Sequence, residues 1–130
     1  MVVVSPEPTS ITDAYALMKV LSLKYSIRYF KLVVNLALND DEAYEVFRQL
    51  SLVADRFLDI SIEYMGFVLH DKNVPKSVRY QKIVSEIFPD CDASKCFNNL
   101  AKKLLASKAN SVPKGDTNFN WKHLLNKNIK

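Results

Sequence analysis

Few side chains in this chain are of kinds that do chemistry, and their spacing limits what that chemistry is. Cys91 and Cys96 stand five apart, with no Cys-x-x-Cys pair and only His70 and His123 as imidazoles. That set does not compose a zinc site, and the two cysteines read as free thiols in a reducing compartment. Gly66 and Gly115 are the only glycines, so no glycine-rich turn is present to wrap a phosphate with bare backbone amides. Asn35 lies near the end of one apolar run, and His70-Asp71 follows another. Both places are carboxyl ends of predicted strands, where open α/β sheets bind ligands. On spacing alone Asn35 reads as a helix cap or strand terminator, and His70 as an exposed turn residue. No catalytic set and no metal-ligand set emerges.

The elements that position these residues alternate. Val2-Val3-Val4 is a β-branched run ended by Ser5-Pro6-Glu7-Pro8, the pattern of a strand buried on both faces. Ser10 with Asp13 three residues on predicts a helix start, and apolar residues recur at helical spacing from Ile11 to about Tyr25. Phe30 to Leu38 predicts a second strand, with Asn39-Asp40 as the cap of the next helix. From Asp41 the residues Ala43, Val46, Phe47, Leu50, Val53, Ala54, Phe57 and Leu58 follow the i, i+3, i+4 rule. Ile60 to Leu69 predicts a third strand in which Gly66 marks a kink or bulge. A helix is expected from Ser77 to Phe88, closed by Pro89, and a last one opens at Asp92.

Strand and helix in this order predict an α/β fold with a mostly parallel sheet of about three strands and flanking helices. The expected organisation is one domain unit over residues 1–108, a polar linker over 109–118 and a basic amphipathic tail over 119–130. The first strand begins at residue 2 with nothing ahead of it to cover its outer edge, although its sequence calls for two neighbours. The chain therefore reads as the second half of a larger α/β domain, and homo-oligomerisation through that edge is expected.

Charge is unevenly spread. Residues 97–130 hold seven lysines against one acid, which leaves residues 1–96 at −2 within a total of +4. A mildly acidic body argues against nucleic acid as a partner. In the tail, Phe119, Trp121, Leu124, Leu125 and Ile129 alternate with Lys122 and other basic residues. Wound as a helix, this segment suits a membrane interface, and a helix docked on the protein's own core is the alternative. No run approaches the 18 apolar residues of a membrane span, and no signal peptide is evident. The expected location is cytoplasmic, with a peripheral membrane contact through the tail.

Along Val4-Ser-Pro-Glu-Pro-Thr-Ser-Ile-Thr-Asp-Ala-Tyr-Ala-Leu-Met-Lys-Val-Leu21 the sequence resembles the C-terminal half of FlhG/FleN-type proteins. These are MinD/ParA-like P-loop ATPases that regulate flagellar number and placement. The match continues through Val34-Asn35, Ala54-Asp-Arg-Phe-Leu58 and Tyr64-Met-Gly-Phe-Val-Leu-His-Asp71, and covers about residues 2–105. The resemblance implies a partial Rossmann-like P-loop fold, in which Asn35 hydrogen-bonds the adenine edge and the loop at His70-Asp71 lies against the base. It implies ATP and Mg as cofactors of the intact protein, a dimer formed around ATP, a membrane-targeting tail, a flagellar GTPase partner and flagellar or polar proteins. The family's phosphate loop and magnesium-binding aspartate have no counterpart in these residues, so no cofactor binding and no ATPase activity are expected of this segment alone. Two other readings stand beside it. One is a non-enzymatic interaction module; the other is a related superfamily member, such as a chromosome-partitioning ATPase or a cobyrinic acid a,c-diamide synthase.

Overall fold

The computed structural model describes residues 1–110, with side chains through Ser107. In chain order the elements are β1 (Val2–Val4), α1 (Pro8–Tyr25), β2 (Tyr29–Ala37), α2 (Asp40–Leu58), β3 (Ser61–Leu69), α3 (Asn73–Arg79), α4 (Val84–Ile87) and α5 (Asp92–Asn110). The three strands form one all-parallel sheet in the order β1-β2-β3, so the expected α/β architecture is the one observed.

Local chemistry accounts for most of the boundaries. The carbonyl side chain of Asn39 accepts the Glu42 N–H at 2.8 Å, and the Glu42 carboxylate accepts the Leu38 N–H at 2.7 Å. This reciprocal pair fixes the start of α2, whose first turn is acidic, as a helix dipole favours. The start of α1 differs from expectation. Pro8 opens the helix two residues before Ser10, because proline's fixed φ suits a first helical turn. The Ser10 hydroxyl instead accepts the Ser5 N–H at 3.0 Å. The helix expected over Ser77 to Phe88 is two shorter pieces, α3 and α4. Pro75 sits inside the first turn of α3, where its missing N–H costs nothing, and Gln81, at φ 53, breaks the run beyond Arg79.

Two apolar layers sandwich the sheet. On one face Val2, Val4, Leu32 and Val34 pack under α1 and α2, through residues such as Met18, Val46, Leu50 and Ala54. On the other face Val33, Met65 and Val68 pack under Ala93 and Leu100 of α5. Val53 and Phe57 do not join the buried stripe of α2; both are exposed, one helical position off its Ala43–Val46–Leu50–Ala54–Leu58 line.

The second layer is incomplete. Val2 and Val4 are buried but Val3, between them, is 57% exposed. The expectation that β1 is buried on both faces is therefore corrected. Helix α5 packs on β3, and no described element covers β1 on that side.

At the amino ends of the strands, Lys31 Nζ donates to Glu63 at 2.9 Å and to the Ser107 hydroxyl, tying α5 to the sheet. The Tyr29 hydroxyl also donates to Glu63, and this bond together with Lys31 holds the Glu63 carboxyl below its ordinary range.

Candidate functional site

Between β1 and α5 lies an apolar cleft of about 300 Å³, lined by Val3, Val33, Val68, Phe97 and Leu104, with Asn35 as its polar member. Alternation along β2 explains the placement. Leu32 and Val34 point to the α1/α2 layer, so Val33 and Asn35 point to the other face. Asn35 stands beside Val68 in the sheet register, half-buried, and its carboxamide takes no hydrogen bond from the described residues.

The residue after it is strained. Leu36 has φ 61, in the left-handed region that a branched side chain seldom enters, and the β2–β3 register slips between Asn35 and Ala37. A bulge of this kind costs on the order of 1–3 kcal/mol and is held only where surrounding structure fixes it. Here the fixing bond is visible: the His70 N–H donates to the Ala37 carbonyl at 2.8 Å, joining the carboxyl ends of β2 and β3 just past the bulge.

The other two expected site residues are placed at the same end of the sheet but not in the cleft. The His70 side chain is exposed, and its backbone does the joining just described. Asp71 is occupied with the backbone. Its Oδ1 accepts the Asn73 N–H at 2.8 Å and its Oδ2 accepts the Ala93 N–H at 3.1 Å. These two bonds, the Asn73 one first, hold the Asp71 carboxyl down at about 2. One side chain thus shapes the turn into α3 and pins the amino-terminal turn of α5. Sequence reasoning missed that role, as it missed the Leu36 bulge; no spacing signal marks either one.

The residues named for the tail, Phe119, Trp121, Lys122, Leu124, Leu125 and Ile129, lie outside the described residues, as does the linker from 111 onward. Among the described residues no helix is long and apolar enough to cross a membrane, and no three His, Cys, Asp or Glu side chains converge as metal ligands would. Cys91 and Cys96 are free thiols, and the Cys91 sulfur lies 3.3 Å from the Ser94 hydroxyl.

A three-stranded parallel sheet with helices on both faces and an unpaired carboxamide at a strand's carboxyl end defines part of a Rossmann-like α/β domain. The chain is 39% identical over 119 residues to the antiactivator FleN of Pseudomonas aeruginosa, covering 92% of this chain and 42% of that protein. It is 30% identical over 130 residues to the flagellum site-determining protein YlxH of Helicobacter pylori, covering 96% of this chain and 43% of that protein. No protein-family profile matches it. The chain spans about two fifths of the length of the curated relatives it matches. The resemblance to FlhG/FleN-type proteins is borne out by both matches, each of which spans nearly all of this chain and about two fifths of the relative.

Proposed function

We propose that this chain serves the regulation of flagellar number and placement and contributes the base-binding side of a nucleotide site. The relatives' names support the first part: one is an antiactivator, the other a flagellum site-determining protein. The observation that carries the second is the Asn35 carboxamide, held at a strained bulge on the wall of an apolar cleft with no protein partner. A carboxamide offers one donor and one acceptor edge, which is what adenine's edge requires, and apolar walls suit the face of a purine ring.

The base half of ATP therefore fits the residues present. The phosphate half does not. Gly66 lies inside β3 with its Cα facing Leu100, away from any helix start, and no glycine-rich turn exists among the described residues. Phosphate and magnesium binding, and hydrolysis itself, belong on this reading to residues elsewhere in the intact protein. A dimer around ATP, a flagellar GTPase partner, peripheral membrane contact through Trp121, Leu124, Leu125 and Ile129, and a cytoplasmic location complete it.

The test uses the intact gene product in the bacterium that makes it. Asn35→Ala is expected to change the number or position of flagella seen by electron microscopy. In the purified protein it should weaken ATP binding about tenfold, the value of losing roughly 1.4 kcal/mol of base contacts. Normal flagella after deletion of the gene would overturn the regulatory reading, and unchanged ATP affinity in Asn35→Ala would overturn the site.

A second reading, a non-enzymatic interaction module, is favoured by one observation. The β1 edge, with Val3 exposed beside the cleft, is a surface on which another strand and its helix can pack.

A further inference from the structure

Helix α1 is apolar on more than one face. Of its eighteen residues only Asp13, Lys19 and Lys24 are charged, whereas α2 has seven charged residues in nineteen. Ala14, Met18 and Ser22 of α1 are buried, yet Leu17 and Val20, turned away from that core, are each 49% exposed. A helix with a single core face would carry polar residues at those two positions.

The uncovered residues fall in line. Asp13, Leu17, Val20 and Lys24 are spaced four, three and four apart, which at 3.6 residues per turn keeps them in one narrow stripe over about three turns. That spacing is the same read from either end, and the charge is opposite at the two ends: an acid, two aliphatic side chains, a base. Asp13 and Lys24 are both exposed, and neither makes an ion pair with a described residue. Asp13 and Leu17 also help to line a shallow cavity of about 440 Å³ with Val2 and Val3, so the stripe begins beside the bare edge of β1. Glu7, exposed at the same cavity, adds to the acidic end.

We propose that this stripe is covered by a second copy of the chain, with the two α1 helices antiparallel about a two-fold axis that passes between Leu17 and Val20. In a two-fold contact residue i meets residue j twice over, so Asp13 faces Lys24 of the second copy and Leu17 faces its Val20. The symmetric four-three-four spacing is what that pairing requires, and aliphatic side chains at the centre let the helix axes approach to about 8–10 Å. Charge complementarity chooses the occupant. An anionic lipid surface would be repelled by Asp13 and Glu7, whereas the reversed stripe sets every charge opposite its counter-charge. Because the stripe runs along the β1 border, the same axis brings the two β1 edges together in opposite directions, and helix and strand form one interface. The Asn35 cleft opens on the other face of the sheet, so this contact needs no nucleotide and is distinct from a dimer formed around ATP.

The test is sedimentation velocity on the full 130-residue chain without nucleotide. The parent chain is expected to form a dimer as concentration rises. Asp13→Lys and Lys24→Asp, each alone, set like charges together at both ends of the contact and should weaken dimerisation about tenfold or more. Mixed one to one, the two variants should associate within a few-fold of the parent, because in the mixed pair every introduced charge faces an opposite one. That recovery needs Asp13 of one copy beside Lys24 of the other, and neither general stickiness nor strand pairing alone produces it. Leu17→Ser should weaken the dimer about tenfold. Circular dichroism checks that each variant is folded, and Asp13→Asn, a gentler change at an exposed position, should weaken association several-fold if a charge reversal disturbs the helix. The proposal is overturned if the parent chain stays monomeric, which would leave this face to another segment of the intact protein. It is equally overturned if the single variants associate like the parent, or if the mixture associates no better than either variant alone.

Discussion

Asp71 and Ala93 are 22 residues apart in sequence and joined by a 3.1 Å hydrogen bond, from the Ala93 backbone N–H to the Asp71 carboxylate. The bond runs from the carboxyl end of β3 to the amino-terminal turn of α5, so it sets where α5 crosses the sheet. Ala93 itself is fully buried against Val33, Met65 and Val68, which makes this polar contact the neighbour of the second core.

Replacing that carboxylate should loosen α5. Asp71→Ala removes the acceptor for two backbone N–H groups and is expected to cost about 1–2 kcal/mol, as lost helix caps do. Urea unfolding followed by circular dichroism measures it. The pH dependence has a definite sign. The folded carboxyl, at about 2, lies below its ordinary value of 3.8, so its stabilisation is present at neutral pH and disappears as pH falls from about 4 to about 2. The parent chain should lose stability across that window, and Asp71→Ala should lose less.

Gly66 tests the bulge in β3. Its φ of +133 is closed to side chains, and a Cβ there would meet Leu100 Cδ2 at 3.2 Å. The register slip between Leu32 and Val33 places Met65 as the extra residue beside it, with Met65 buried in the second core. Gly66→Ala is expected to destabilise by about 2 kcal/mol, seen as a lower Tm. An equal Tm would mean that the bulge relaxes freely.

Much of this fold was legible because it follows local rules. The i, i+3, i+4 pattern gave α2, and Asn39 with Glu42 wrote its start. Gly66 announced the β3 bulge, since no other residue type occupies that conformation at ease. What stayed hidden depends on partners distant in sequence. Leu36 adopts a conformation that nothing in its own chemistry favours, and Asp71 looked like a ligand-loop residue until Ala93 was brought beside it. The helix expected from Ser77 opens at Asn73 instead, because Pro75 fits inside a first helical turn. At the candidate site, spacing alone made Asn35 a cap or strand terminator and only the family resemblance singled it out, whereas the cleft it faces arises only when α5 covers β3 and leaves β1 bare.

The two borders of the sheet predict different behaviour. On β3, Lys103 Nζ donates to the Tyr64 carbonyl at 2.6 Å, so a charged side chain covers that border. On β1, three valines carry no charge and Val3 is exposed. Edge strands of the second kind invite pairing. The 130-residue chain is expected to self-associate with rising concentration in light scattering, and Val3→Lys should return it to monomer. A monomer at every concentration would show that this border is protected in solution.

Leu36 and Asn35 make the sharpest test of the site, because stability and binding should move in opposite directions. Leu36→Gly removes the steric cost of φ 61, which offsets the burial lost from a side chain that is already 48% exposed; the unfolding temperature should rise or hold steady. The same change frees the backbone that aims Asn35 at the cleft. In the intact protein, base affinity should therefore fall several-fold although every atom of the carboxamide remains, because a freely jointed donor–acceptor pair must be ordered on binding. Calorimetry with ATP on Leu36→Gly and Asn35→Ala separates the outcomes. A loss in both, with no loss of stability in Leu36→Gly, supports a bulge that serves binding. A loss only in Asn35→Ala reduces the bulge to a feature of packing.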